Sequence, residues 1–186
     1  MPPQMKVTKE DIIKASVEIV RREGDRGLNA RSIALSLGTS TQPIFSNFIN
    51  MSELRYAVVG VAEEICGEYI SRETASGKYP PYKASGMAYI RFAKEEKELF
   101  NLLYMRDRAQ ESIPIGMKLN DDMNELVKNN TPLREDKAGL FHFEMWMFVH
   151  GIASAVTTGY IEFDEELVSK ILTDAYQGLR LRFEKE

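Results

Sequence analysis

A helix stop and a helix start packed into a few residues constrain this chain more than any other feature. Asn29 can cap a short helix in which Ala30, Ile33, Ala34 and Leu37 share one face, and Gly38 stands where a left-handed C-terminal residue is wanted. Only Thr39 separates that glycine from Ser40, whose hydroxyl can accept from the unsatisfied N–H groups of the next helix. The connection between two short helices is therefore very tight.

The helix that follows reads TSTQPIFSNF, from Thr39 to Phe48. Pro43 lies within its first turn, where a missing N–H forfeits nothing, although the ring also disfavours helical geometry at Gln42, so an irregular first turn is expected. Ile44 and Phe48 are four apart and can point inward with Ile33 and Leu37, which leaves Thr41, Gln42, Ser46 and Asn47 outward. Two short helices around a tight glycine turn describe a helix-turn-helix, whose second helix enters the major groove by its leading residues. Small side chains let such a helix fit between the backbones, and Gln and Asn can pair with base edges, adenine above all.

The remaining punctuation also predicts helices. Thr8 and Asp11 form a capping-box pattern ahead of Ile12, Ile13, Ser16, Ile19 and Val20, and Gly24 stops that run. Asn50, with Glu53 at its third position, opens a long periodic run through Leu54, Val58, Val61, Ile65 and Tyr69. Turn residues from Ser71 to Lys83 predict a break. Helices are then expected near Tyr82 to Lys94, Lys97 to Met105, Met117 to Lys128, Leu133 to Thr158 and Asp164 to Phe183. No strand alternation and no internal repeat is present, so the fold class is all-α.

Composition narrows the function. Hydrophobic residues make up 44% and charged residues 28% of 186, ordinary for a globular chain. The net charge of −4 looks wrong for a nucleic-acid binder, yet it is uneven: up to Arg55 eight basic residues face six acidic ones, giving +2 and leaving −6 for the remainder. The one cysteine, Cys66, has neither a disulfide partner nor a zinc-binding neighbour, which fits a buried thiol in a reducing cytoplasm. Charges at the N-terminus argue against an export signal, and the apolar stretch Met145 to Ile161 falls short of a span between Glu144 and Glu162, so no membrane partner is expected. His142-Phe-Glu144 lacks the Pro-Cys-x-x-Cys of a zinc deaminase, and no hydrolase or phosphate-loop motif occurs. No enzymatic activity, metal or cofactor is expected. The cluster Lys94 to Glu98 reads as a solvated helix junction, and the acidic residues before the last helix as its capping region.

From Ile12 to Leu54 the ordered set IIKASVEIVRREG, LNARSIALSLGTS, PIFSNF and NMSEL closely resembles the DNA-binding domain of TetR/AcrR-family transcriptional regulators, without a gap. The resemblance implies a helix-turn-helix domain over 1–50 and a helical ligand-binding and dimerisation domain over 51–186. It implies a homodimer formed through the last two helices, double-stranded DNA as partner, and a small-molecule effector that releases a repressor from a pseudo-palindromic operator. Its implied DNA-binding residues are Asn29, Arg31, Ser40, Thr41, Gln42, Pro43, Phe45, Ser46, Asn47 and Asn50. The family usually has tyrosine at Phe45 and lysine at Met51, so two contacts to phosphate are missing here, which predicts weaker binding and a flatter salt dependence. Helix N-terminal amides and the Lys6 arm can compensate.

MWMFVHGIA, with Trp146, His150 and Gly151, is similar to a Trp-His-Gly signature in the C-terminal domain of one TetR-like subgroup. Met87, Phe100, Tyr104, Phe143, Trp146, Met147 and His150 come from segments that the family places around the ligand pocket. Each of them also fits an ordinary core position, and His150 and Tyr104 are the better candidates for orienting a ligand. The competing reading is an all-α ligand-binding or scaffolding protein with weak or lost DNA binding.

Overall fold

A computed structural model of the chain describes residues 7–106, 128–129 and 135–185. Among the described residues there are eight α-helices and no strand: α1 (Lys9–Glu23), α2 (Ala30–Ser36), α3 (Gln42–Asn47), α4 (Met51–Ala75), α5 (Pro81–Glu95), α6 (Lys97–Tyr104), α7 (Glu135–Thr157) and α8 (Glu165–Lys185). The all-α expectation is met. The helix expected from Met117, and the Lys6 arm, lie outside the described residues apart from Lys128.

Two differences from the sequence reading have physical causes. The break expected from Ser71 begins later, because α4 continues to Ala75 before Gly77 turns the chain with φ 69°. Thr74 Oγ1 donates to the Ile70 carbonyl at 2.8 Å, and Glu73 is buried against Arg91 at 2.6 Å, so tertiary packing carries the helix through residues that look like a turn. The second difference concerns how the helices group. Packing gathers the described residues up to Ile65 with Glu96–Arg106 into one compact unit, the head, and Cys66–Glu95 with the described residues after Arg106 into another, the body. The first half of α4 and all of α6 therefore pack with the head, which a boundary at residue 50 does not capture.

In the head, Thr8 and Asp11 form the predicted capping box and α1 buries Ile12, Ser16, Val17, Ile19 and Val20. Helix α6 lies against α1 and supplies Leu99, Phe100, Leu102 and Leu103. Arg21 seals this packing with a two-pronged bond to Glu96, at 2.9 and 2.7 Å, at the junction between α5 and α6.

In the body, α5, α7 and α8 pack on one another. Gly86 permits this, since a Cβ there would sit 3.3 Å from both Leu172 Cδ1 and Val149 Cγ2, tighter than ordinary contact. A second cluster buries Phe141, Met145 and Phe183, with Tyr82, Ala175, Tyr176 and Leu179 around it. Phe141 meets Tyr176 and Phe183 edge to face, with ring centroids 5.5 and 5.9 Å apart. Cys66 is buried. No described helix is long and apolar enough to cross a membrane.

Candidate functional site

The turn between α2 and α3 is closed by backbone chemistry. Gly38 takes φ 62°, its N–H bonds to the Leu35 carbonyl at 3.2 Å, and the Thr39 N–H bonds to the Ala34 carbonyl at 2.9 Å. These are the paired bonds of a Schellman stop, and they reverse the chain within two residues. At the other end of α2, Asn29 Oδ1 accepts from the Ser32 N–H at 3.0 Å, as expected of a cap.

The first turn of α3 carries the irregularity that Pro43 predicts. The N–H groups of Ile44 and Phe45 both reach the Thr41 carbonyl, at 3.2 and 3.4 Å, so the turn is tighter than α-helical. No side chain of Thr41 caps the helix, and Ser40 Oγ accepts weakly from the Gln42 N–H at 3.4 Å. Ile44 and Phe48 are buried, and the Lys9 ammonium sits 4.7 Å from the centre of the Phe48 ring. Ser40, Thr41, Gln42, Phe45 and Ser46 are exposed, with Pro43 half-buried. Asn47 is also half-buried rather than fully outward, because its Nδ2 donates to the Pro43 carbonyl at 2.8 Å. Ser46 Oγ likewise donates to the Gln42 carbonyl at 2.9 Å. The Gln42 amide makes no hydrogen bond among the described residues.

Asn29, Arg31 and Asn50 flank this helix and are exposed. Asn50 Oδ1 accepts from the Glu53 N–H at 2.9 Å while the Glu53 carboxylate accepts from the Ile49 N–H at 2.7 Å, so α4 starts from a reciprocal cap. Met51 is half-buried.

The residues assigned to a ligand pocket fall into separate groups. Phe100 and Tyr104 belong to the head, their rings 5.1 Å apart, and Phe100 is fully buried. Met87 is fully buried in the body. Phe143, Trp146 and His150 form a stack along α7, with ring centroids 6.3 and 4.8 Å apart, and His150 Nδ1 shares a hydrogen bond with the Tyr89 hydroxyl at 3.0 Å. Burial holds the His150 imidazole below its ordinary pKa. Phe143 and Met147 are 45% and 51% exposed, which places them on the outer face of α7 with Leu140 and Phe148 rather than in a cavity.

Other polar arrangements were not legible in the sequence. Tyr89, the partner of His150, gives no motif because 61 residues separate the two. The second histidine, His142, is buried with its Nδ1 2.9 Å from the Tyr82 hydroxyl, and burial lowers its pKa to about 4. Arg91 bridges Glu73 and Glu165, at 2.6 and 3.1 Å, and Glu165 also receives Lys78 and Tyr79, at 2.5 and 3.1 Å. The bond from Lys78 holds the Glu165 carboxyl below its ordinary pKa. Beside this network lies a small cleft of about 180 Å³ lined by Tyr69, Arg72, Glu73, Ala88, Arg91 and Glu95, charged rather than apolar. No group of three or more His, Cys, Asp or Glu side chains among the described residues is placed to hold a metal.

The sequence matches no protein-family model and no curated protein. Solved structures do resemble this one. A TetR-like transcriptional regulator from Rhodococcus sp. RHA1 superposes with a TM-score of 0.66 at 14% identity, over 96% of this chain and 98% of that one. A member of the TetR family from Streptomyces coelicolor A3 superposes with a TM-score of 0.67 at 18% identity, over 90% and 96%. The multidrug binding protein EbrR, solved in complex with imidazole, gives a TM-score of 0.64 at 18% identity, over 93% and 95%. The chain has the fold of TetR-like regulators along nearly its whole length.

Proposed function

We propose that the chain is a DNA-binding transcriptional regulator, a repressor that binds a pseudo-palindromic operator as a homodimer and is released by a small molecule. The observation that carries this reading is the two-sidedness of α3: Ile44 and Phe48 are anchored inside while Ser40, Thr41 and Gln42 are presented to solvent. A helix of that form is suited to the major groove. Asn29, Arg31 and Asn50 flank it and are suited to backbone contacts.

Two features of the body support the rest of the proposal. The outer faces of α7 and α8 expose Leu140, Phe143, Met147, Phe148, Leu167 and Leu181, all at least 45% accessible, and a second copy of the same face would cover them. Dimerisation through the last two helices would place Phe143 and Met147 in that interface, and leave Trp146 and His150, with Tyr89, as the aromatic group best suited to a ligand. The description of EbrR as a multidrug binding protein supports a small organic effector. Release requires that the effector bind one arrangement of the dimer better than the other, since equal affinity for both shifts nothing.

The deciding experiment is a mobility-shift assay of the purified protein on DNA flanking its own gene. A sequence-selective, salt-sensitive complex supports the regulator, and Gln42→Ala should then lower selectivity by roughly tenfold, the loss expected for a bidentate base contact. If no selective complex forms, the scaffolding alternative takes its place. Trp146, the single tryptophan, reports effector binding through its own fluorescence.

A further inference from the structure

The face of α3 that points to solvent is less polar than its sequence suggests, and the surrounding charge is weaker. Thr41, Gln42, Phe45 and Ser46 form its exposed ridge. The Ser46 hydroxyl proton and one of the two Asn47 amide protons are already given to the helix's own carbonyls, at 2.9 and 2.8 Å. The Thr41 hydroxyl and the Gln42 amide make no hydrogen bond among the described residues, and one turn behind Gln42 the Phe45 ring is 51% exposed.

Charge does not compensate. Of the seven lysines and arginines described up to Arg55, four sit in ion pairs: Lys9 with Glu53, Arg21 with Glu18 and Glu96, Arg22 with Glu23, and Arg55 with Asp25. Such exposed pairs are weak and can open, but each carries a carboxylate toward any phosphate that its cation meets. When residues 56–65 and 96–106 are included, as packing requires, the described part of the head holds nine basic and ten acidic residues, a net −1. The described part of the head therefore has no excess of positive charge, and contacts on the groove floor gain weight in site recognition.

In the major groove, the one apolar group that a base pair displays is the 5-methyl of thymine. We infer that Phe45 reads thymine methyl groups next to an adenine that Gln42 reads, so that each half-site carries an A·T pair opposite Gln42 with a thymine methyl against the ring. The ring thereby serves for specificity at a position where a hydroxylated side chain would serve for phosphate anchoring. This inference rests on the regulator reading, and the test separates the two.

The full chain is used to enrich its preferred duplex from a randomised pool. In that duplex each thymine is then replaced singly by deoxyuridine, which removes only the methyl, and each adenine by 7-deazaadenine, which removes only N7. One thymine per half-site should lose about fourfold in affinity, the contribution of one buried methyl, and Phe45→Ala should bind the thymine and deoxyuridine duplexes equally. Gln42→Ala should abolish the 7-deazaadenine effect alone. Failure to enrich any duplex overturns the regulator reading and this inference with it. Enrichment of a duplex that is indifferent to deoxyuridine, or a methyl effect that survives Phe45→Ala but disappears in Ile49→Ala, overturns only the assignment to Phe45.

Discussion

Helices α3 and α7 each carry aromatic and polar side chains on the side away from their own core, yet they treat water in opposite ways. On α3 the outer face is mostly small and polar, with Phe45 the single large apolar exception. On α7 it carries Leu140, Phe143, Met147 and Phe148, while Phe141, His142, Met145, Val149 and Ala153 take the inner one. A polar face over buried anchors is stable in water as it stands. An apolar outer face remains exposed until another surface covers it. Exposure alone therefore does not identify a binding face, and the chemistry of the exposed side chains separates a face suited to a polar groove from one suited to an apolar partner.

The sharpest test of this contrast removes the anchors. Phe48→Ala and Phe141→Ala should each cost about 3–5 kcal/mol, the loss for a truncated buried aromatic. If the two units have separate cores, Phe48→Ala should abolish DNA binding while the fluorescence of Trp146 stays native, and urea titrations followed by both signals will check it. A common loss of both signals would break the division.

Next in size is the outer face of α7. Met147→Lys places a charge in the proposed interface and should weaken self-association by about 2–3 kcal/mol, within the range of strong interface positions. Light scattering across a dilution series reads this directly. An unchanged mass would mean that this face is not covered by a second copy.

Acid should then act on the body through His142. Its folded-state pKa of about 4 lies below the ordinary 6.5, so the unfolded chain binds the proton more readily. The contribution to stability is complete above about pH 6.5 and is lost as pH falls toward 4, amounting to about 2 kcal/mol at pH 5. Chemical denaturation from pH 7 to 5 should show this loss, and His142→Phe should show a shallower one.

The smallest effect concerns the turn. Gly38→Ala meets no neighbouring atom within 4 Å, so its cost is the left-handed backbone alone, about 1 kcal/mol. Gly38→Asn should cost less, because asparagine tolerates that conformation better, and thermal melts of the two variants give the comparison.

Much of this was legible in the residues because it depends on neighbours along the chain. The caps at Thr8, Asn29 and Asn50, the stop at Gly38, the irregular start at Pro43 and the inward pair Ile44 and Phe48 all follow from interactions spanning five residues or fewer. The candidate groove face was readable to the same extent, except at Ser46 and Asn47, each of which donates one proton back to its own helix. Local spacing cannot tell a side chain that faces outward from one that is also available.

What the sequence determined by itself, then, is an all-α chain with a turn of the helix-turn-helix kind and an amphipathic third helix, since helix periodicity and capping are properties of short segments. Tertiary structure alone decided that α6 joins the head, that Glu73 extends α4 by pairing with Arg91, that Tyr89 holds His150, and that Phe143 and Met147 lie outside. The packing of α6 and the two polar pairs depend on residues far apart in sequence meeting at a few ångströms, and the pairs also on the cost of leaving a charge or a hydroxyl without a partner once it is buried.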